Sequence, residues 1–290
     1  MATDRVDKTI RLKDGRTLSY AEFGDPRGKP LFFFHGFPNS RVGAQDAGEV
    51  AARLGIRLIA ADRPGFGLSD YKPGRRIGDW PDDVRELADA LGIDRFAVMG
   101  ISGGGPYVAA CALKIPERLT AVAIVSGLAP YVERKAVADM RRRDRLMMRL
   151  QRYLPWITRV NLWLMKQMVR RFPSLLLWIG DRLLPPADVA VLARPEVRAS
   201  VIADMTEAFR QGSRAAAQEF VLYTRPWGFR LEEITVEVLL WQGEADIAVV
   251  PSMGRYQAEA IPNCRARFYP DEGHLLSVDR MEEIQTALFP

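Results

Sequence analysis

Between residues 18 and 125, short apolar runs alternate with longer amphipathic stretches, and that alternation leaves few folds open. Residues 31–34, Leu-Phe-Phe-Phe, carry no polar side chain, so a strand built from them must bury both faces, as a central sheet strand does. Residues 57–61, 96–99 and 121–125 repeat that character, each ending at a turn. Between them, residues 42–54, 79–91 and 104–113 carry the spacing of helices. Strands separated by helices of this length predict an α/β fold, a mostly parallel central sheet flanked by helices on both faces. Residues 9–12 and 18–23 read as a hairpin turned at Asp14-Gly15. The alternation returns late, with strands at 237–241 and 265–269, a helix at 252–260 and a final helix from Asp279.

From residue 130 to residue 226 the rhythm changes. No strand pattern is found there, only helical stretches broken at Pro155, Pro173, Pro185-Pro186 and Pro195, where proline ends a helical hydrogen-bond ladder. The division expected is a core of residues 1–129 and 227–290 with an all-helical cap, residues 130–226, over the sheet's carboxyl edge, where such sheets bind ligands. A hydrophobic content of 48% supplies a core, yet no run approaches the roughly 18 apolar residues of a membrane span. The polar, mixed-charge start does not read as a signal peptide, so a cytoplasmic location is expected. Cys111 and Cys264 are expected to be reduced thiols.

One motif in the core carries chemistry. Gly100-Ile101-Ser102-Gly103-Gly104 is a G-x-S-x-G between a strand and a helix. A serine hydroxyl is a weak nucleophile unless it is exposed, fixed and next to a base. A sharp strand-to-helix turn exposes it, and glycines two before and two after avoid the crowding that the turn creates. The base and acid should follow in the order serine, acid, histidine. Of the chain's two histidines, His35 precedes the serine, whereas His274 lies in Asp271-Glu272-Gly273-His274, the loop after the last strand. The acid should follow the preceding strand, where Asp246 is preferred over its rival Glu244 because a buried carboxylate there can fix the imidazole tautomer. The position after the earlier strand reads Ser126-Gly127-Leu128 and offers no carboxylate. Backbone N–H groups of Phe37 and Gly103 are the candidate oxyanion donors. Two distant histidines do not make a His-rich metal site, and no cofactor is implied.

Together with His35-Gly36 and Asp62-Arg63-Pro64-Gly65-Phe66-Gly67-Leu68-Ser69, these residues resemble the α/β-hydrolase superfamily, in particular its capped serine esterases. The resemblance covers the two core blocks and implies hydrolysis of a carboxylic ester through an acyl-enzyme by Ser102, His274 and Asp246. C–C bond hydrolases, lactonases, thioesterases and perhydrolases share that triad, and a ligand-binding receptor on the same scaffold is a reading from another class. His35-Gly36-Phe37-Pro38 also looks like the oxyanion loop of epoxide hydrolases and haloalkane dehalogenases. Those enzymes carry an aspartate at the elbow, where this chain has Ser102.

The cap resembles no signature. Leu146, Met147, Leu150, Leu154, Trp156, Ile157, Leu162, Trp163, Leu164, Met165 and Met168 have the helical spacing of residues that pack a cap onto a core. Those lining the pocket would suit a small-molecule ester with an apolar group. Residues 130–183 hold 13 Lys and Arg against 4 Asp and Glu, while the whole chain is only +5. The basic excess is thus a local surface and not the mark of a nucleic-acid-binding protein. Arg141, Arg142, Arg143, Arg145, Arg149 and Arg152 are expected on a solvated helix face. That face also suits an acidic partner: a carboxylated substrate, an acidic carrier protein or an anionic membrane surface.

Overall fold

Alternate residues of the central strands enter two different cores, which is why those segments have no polar face. The structure, a computed structural model, describes residues 5–289. Its strands are β1 (Arg5–Arg11), β2 (Thr17–Gly24), β3 (Lys29–Phe34), β4 (Ile56–Ala61), β5 (Phe96–Ile101), β6 (Leu119–Val125), β7 (Val238–Gly243) and β8 (Cys264–Tyr269). Phe32, Phe34, Val98 and Ile124 point to one side of the sheet, and Leu31, Phe33, Met99 and Val125 to the other. The first side is covered by α2 (Trp80–Ala90), α3 (Gly105–Lys114) and α10 (Pro251–Ala260), the second by α1 (Gln45–Arg53) and α11 (Leu276–Leu288).

Among the described residues the strands form one sheet in the order β1-β2-β4-β3-β5-β6-β7-β8. β1 pairs antiparallel with β2, and β2 with β4; the other pairings are parallel. The fold is α/β with a mostly parallel sheet, as the alternation requires. Several boundaries differ from expectation; the first strand starts at Arg5, four residues before Thr9. The last helix starts at Leu276, earlier than Asp279, and the expected 42–54 helix opens as a 3₁₀ turn over Arg41–Ala44 capped by the Ser40 hydroxyl. A side-chain cap of this kind satisfies a free N–H without lengthening the apolar period, so periodicity does not register it.

Six helices separate β6 from β7: α4 (Arg142–Tyr153), α5 (Pro155–Arg171), α6 (Pro173–Leu183), α7 (Pro186–Leu192), α8 (Pro195–Ala208) and α9 (Arg214–Tyr223). Pro155, Pro173, Pro186 and Pro195 each occupy the first position of a helix, where the missing N–H costs nothing. Prolines that break one helix therefore start the next.

This cap does not bury its apolar residues as its spacing suggests. Thr158, Leu162 and Val169 of α5 face inward, with Leu162 and Val169 packed with Phe66 and Phe209. Leu146, Met147, Leu150, Leu154, Trp156, Trp163 and Leu164 are exposed. Helical spacing identifies a stripe; it does not say whether anything lies against it. Among the described residues no helix is long and apolar enough to cross a membrane.

Candidate active site

β5 delivers Ser102 to a turn that an L-residue does not adopt freely. Its φ is 54°, in the left-handed region, and a 3₁₀ turn over Ser102–Gly104 leads into α3. Two neighbours must be glycine for the turn to close. A Cβ on Gly100 would lie 2.7 Å from the Gly104 carbonyl oxygen, and one on Gly104 would collide with that of Phe34. The close contacts at Gly100 and Gly104 hold the strained turn, as surroundings generally hold left-handed backbone at functional positions.

The loops after β7 and β8 bring Asp246 and His274 together. His274 Nδ1 lies 2.8 Å from Asp246 Oδ2, and the other carboxylate oxygen accepts the Ala248 and Val249 N–H groups, both at 2.8 Å. Asp246 is buried, whereas Glu244 pairs with Arg255 at 2.6 Å near the surface. Burial opposes protonation of His274, but the Asp246 charge outweighs it and holds the imidazole pKa above its ordinary value. Asp188, a buried cap residue on α7, adds to that effect. Its Oδ1 accepts the Leu275 N–H at 2.8 Å, so the cap rests directly on the histidine loop. Among the described residues no hydrogen bond joins Ser102 Oγ to His274. In unliganded hydrolases that bond is often long and tightens with substrate.

The two expected oxyanion peptides are both pinned from behind. In a trans peptide the carbonyl and the next N–H point in opposite directions. The Gly36 carbonyl, in the same peptide as the Phe37 N–H, accepts from Arg63 Nη2 at 2.8 Å and lies 2.9 Å from His35 Nδ1. The Ser102 carbonyl, paired with the Gly103 N–H, accepts the Leu128 N–H at 3.1 Å. The Phe37 N–H makes no hydrogen bond among the described residues. Burial and the Arg63 charge push the His35 pKa well down, so His35 is neutral. Its Nε2 accepts the Arg63 N–H at 3.2 Å, which leaves Nδ1–H to donate to Gly36.

Behind that loop lies a network that sequence reasoning did not find. Arg63 also donates from Nη1 to the His35 carbonyl at 2.6 Å and from Nε to Glu219 at 2.8 Å. Glu219, fully buried on α9, accepts from Arg75 and from the Tyr223 hydroxyl at 2.5 Å; the same hydroxyl contacts the Gly103 carbonyl at 2.9 Å. Burial opposes ionisation of Glu219, but the Arg63 and Arg75 charges hold its pKa down to about 2. Arg63 stands in the Asp-Arg-Pro-Gly run, a visible signal; Glu219 and Tyr223 lie in a segment without a motif and had none. A second latch joins cap and core where Asp204 of α8 accepts from Asn39 and from the Ser40 N–H and hydroxyl, both at 2.7 Å.

Among the described residues no group of three or more His, Cys, Asp and Glu side chains is placed to hold a metal. Cys111 and Cys264 are free thiols.

Comparison with known proteins agrees with this architecture. A family model described as alpha/beta hydrolase fold matches residues 29–280. A non-heme chloroperoxidase of Streptomyces lividans is 32% identical over 126 residues, 43% of this chain and 46% of that protein. A bifunctional esterase/perhydrolase of Acinetobacter calcoaceticus is 31% identical over 123 residues, 42% of this chain and 44% of that protein. The matches thus span under half the length of these curated relatives. A hydrolase from Pseudomonas aeruginosa superimposes with a TM-score of 0.72 at 19% identity, covering 99% of this chain and 98% of that one, a likeness of fold.

Proposed function

Because the chain belongs to the alpha/beta hydrolase fold family, whose matched span takes in the elbow, acid and histidine loops, we propose that it is a serine hydrolase that cleaves a carboxylic ester through an acyl-enzyme. Ser102 is the nucleophile, His274 the base and Asp246 the orienting acid. The observation that carries this reading is a strained serine on a strand–helix turn in a chain whose Asp246–His274 pair is bonded at 2.8 Å.

Neutral His274 takes the Ser102 proton through Nε2 as Oγ bonds to the ester carbon. Asp246 holds the Nδ1–H and stabilises the imidazolium that forms. The carbonyl oxygen, now negative, lies between the Phe37 and Gly103 N–H groups, donors of a kind worth about 3 kcal/mol each. Collapse expels the alcohol, which takes the proton from His274. Water, deprotonated by the same imidazole, then releases the acid. The cap is taken as residues 130–226, and it favours an ester with an apolar acyl or alcohol group. Arg142, Arg149 and Arg159, exposed on its outside and without an acidic partner among the described residues, favour an acidic partner.

Perhydrolysis is the second reading, favoured by the likeness to the bifunctional esterase/perhydrolase. It uses the same acyl-enzyme with hydrogen peroxide in place of water.

The test is hydrolysis of p-nitrophenyl acetate, butyrate, octanoate and laurate by wild type and Ser102→Ala. Loss of turnover in the variant by about 10⁴-fold or more supports the assignment. Equal rates for the two proteins, with any substrate, would remove Ser102 from the chemistry.

A further inference from the structure

An unpartnered apolar surface lies on the outside of the cap. Among the described residues, thirteen of the fifteen exposed large hydrophobic side chains fall between Leu146 and Leu183. On α5, Trp156, Val160, Trp163 and Leu164 follow one another at the spacing of a single helical face, opposite the inward stripe of Thr158, Leu162 and Val169. Trp156 is 61% exposed and Trp163 52%. Leu146, Leu150 and Tyr153 make the equivalent stripe on α4, and Trp178 is exposed on α6. A helix with apolar residues on both faces buries both somewhere. Here the fold covers only one.

Basic residues are set into the same surface. Arg142 and Arg149 lie four before and three after Leu146, on its side of α4; Arg159 lies between Trp156 and Trp163 on α5. None of these three has an acidic partner among the described residues. Arg159, Val160, Trp163 and Arg214 border a shared groove, which continues into a cleft of about 540 Å³. Arg76, Arg159, Arg214 and Arg225 rim that cleft, and among the described residues no acidic side chain lines it.

We propose that this face docks on an anionic lipid bilayer, with the α5 tryptophans in the headgroup–acyl boundary and the cleft arginines on lipid phosphates. Tryptophan prefers that boundary, and arginine stems lie along apolar surface while their heads reach phosphate. Interleaved Trp, Leu and Arg on a helix lying in the interface plane meet both needs at once. A second copy of the chain is disfavoured as the occupant. A two-fold dimer would set each patch against its own copy and bring together two surfaces of the same positive charge with no carboxylate between them among the described residues. The proposal does not depend on the hydrolase reading.

The experiment is flotation of the full chain with vesicles of phosphatidylcholine alone and of phosphatidylcholine with phosphatidylglycerol, across a salt series, in wild-type and Ser102→Ala protein. Both proteins bind the anionic vesicles, release them as salt rises, and shift tryptophan emission to the blue. Arg159→Ser with Arg214→Ser weakens binding about fivefold for each arginine removed, as expected of basic residues near an anionic surface. Trp156→Ser with Trp163→Ser removes most of the blue shift. These residues are on the surface, so a thermal melt like that of wild type shows that each variant is folded. Four results overturn the proposal: no vesicle binding, equal salt-independent binding to both vesicle types, saturation by free inorganic phosphate without vesicle binding, and a concentration-dependent dimer that buries the tryptophans.

Discussion

Replacing Glu219 with glutamine tests whether the cap builds the oxyanion site or merely covers it. The substitution keeps the shape of the side chain and removes the charge that neutralises two buried arginines. Glu219 has its pKa lowered from 4.5 to about 2, which corresponds to about 3 kcal/mol of folding free energy. Breaking a buried ion pair independently suggests about 3–5 kcal/mol, so the two routes agree. At roughly 2–4 °C per kcal/mol for a chain of this size, the melting temperature should fall by roughly 6–12 °C. The sign with pH is fixed as well. A depressed carboxylate stabilises the fold above pH 4.5, and that contribution is lost as pH falls through about 2. Glu219→Gln should therefore lack the steep acid loss that wild type shows. Arg63, left without its partner, should hold the Gly36 carbonyl less firmly, and kcat should fall roughly 10- to 100-fold with KM little changed, part of one oxyanion donor's worth. Calorimetry from pH 2 to pH 7 and ester kinetics at neutral pH read both effects. A variant that melts within 2 °C of wild type and keeps its kcat would refute the reasoning. Should Glu219→Gln fail to fold, Tyr223→Phe removes only the hydroxyl that joins Glu219 to the Gly103 carbonyl and should lower kcat in a folded protein.

Three further outcomes are expected. Because Asp246 holds the His274 pKa up, kcat/KM should fall on the acid side at a pH above that of an ordinary imidazole; Asp246→Asn should move that limb downward and cost about 10⁴ in kcat, read from pH–rate profiles. Burial raises the Asp204 pKa from 3.8 to about 6, so the folded protein takes up a proton first and its stability should increase, by about 3 kcal/mol, as pH falls from about 6 to below 4. Asp204→Asn should flatten that slope in urea titrations, and an unchanged slope would remove Asp204 as its source. Gly104→Ala should cost about 1–3 kcal/mol by overpacking against the Phe34 carbonyl, with turnover lost well before the fold melts.

The sheet was legible because strand and helix periods are local. Phe32 and Phe34 must face one way and Leu31 and Phe33 the other, and no reading of that run other than a buried strand satisfies all four. The elbow was legible because steric demands at Gly100 and Gly104 select one residue type. His274 stood out because the chain holds only one other histidine. What escaped depends on contacts across the chain. Glu219 meets Arg63 from 156 residues away, and Asp188 meets the Leu275 N–H from 87, so neither carries a local pattern. The cap misled for a related reason. The spacing of Trp156, Val160 and Trp163 is that of a packed stripe, and only the position of α5 leaves it facing outward.

The most direct test of the account is covalent labelling of Ser102 by a fluorophosphonate, read by mass spectrometry of the modified peptide. One equivalent of label is expected on Ser102 in the wild type, with slow labelling in His274→Ala and none in Ser102→Ala. An unlabelled Ser102 in a folded wild-type protein, or equally fast labelling without His274, would contradict it.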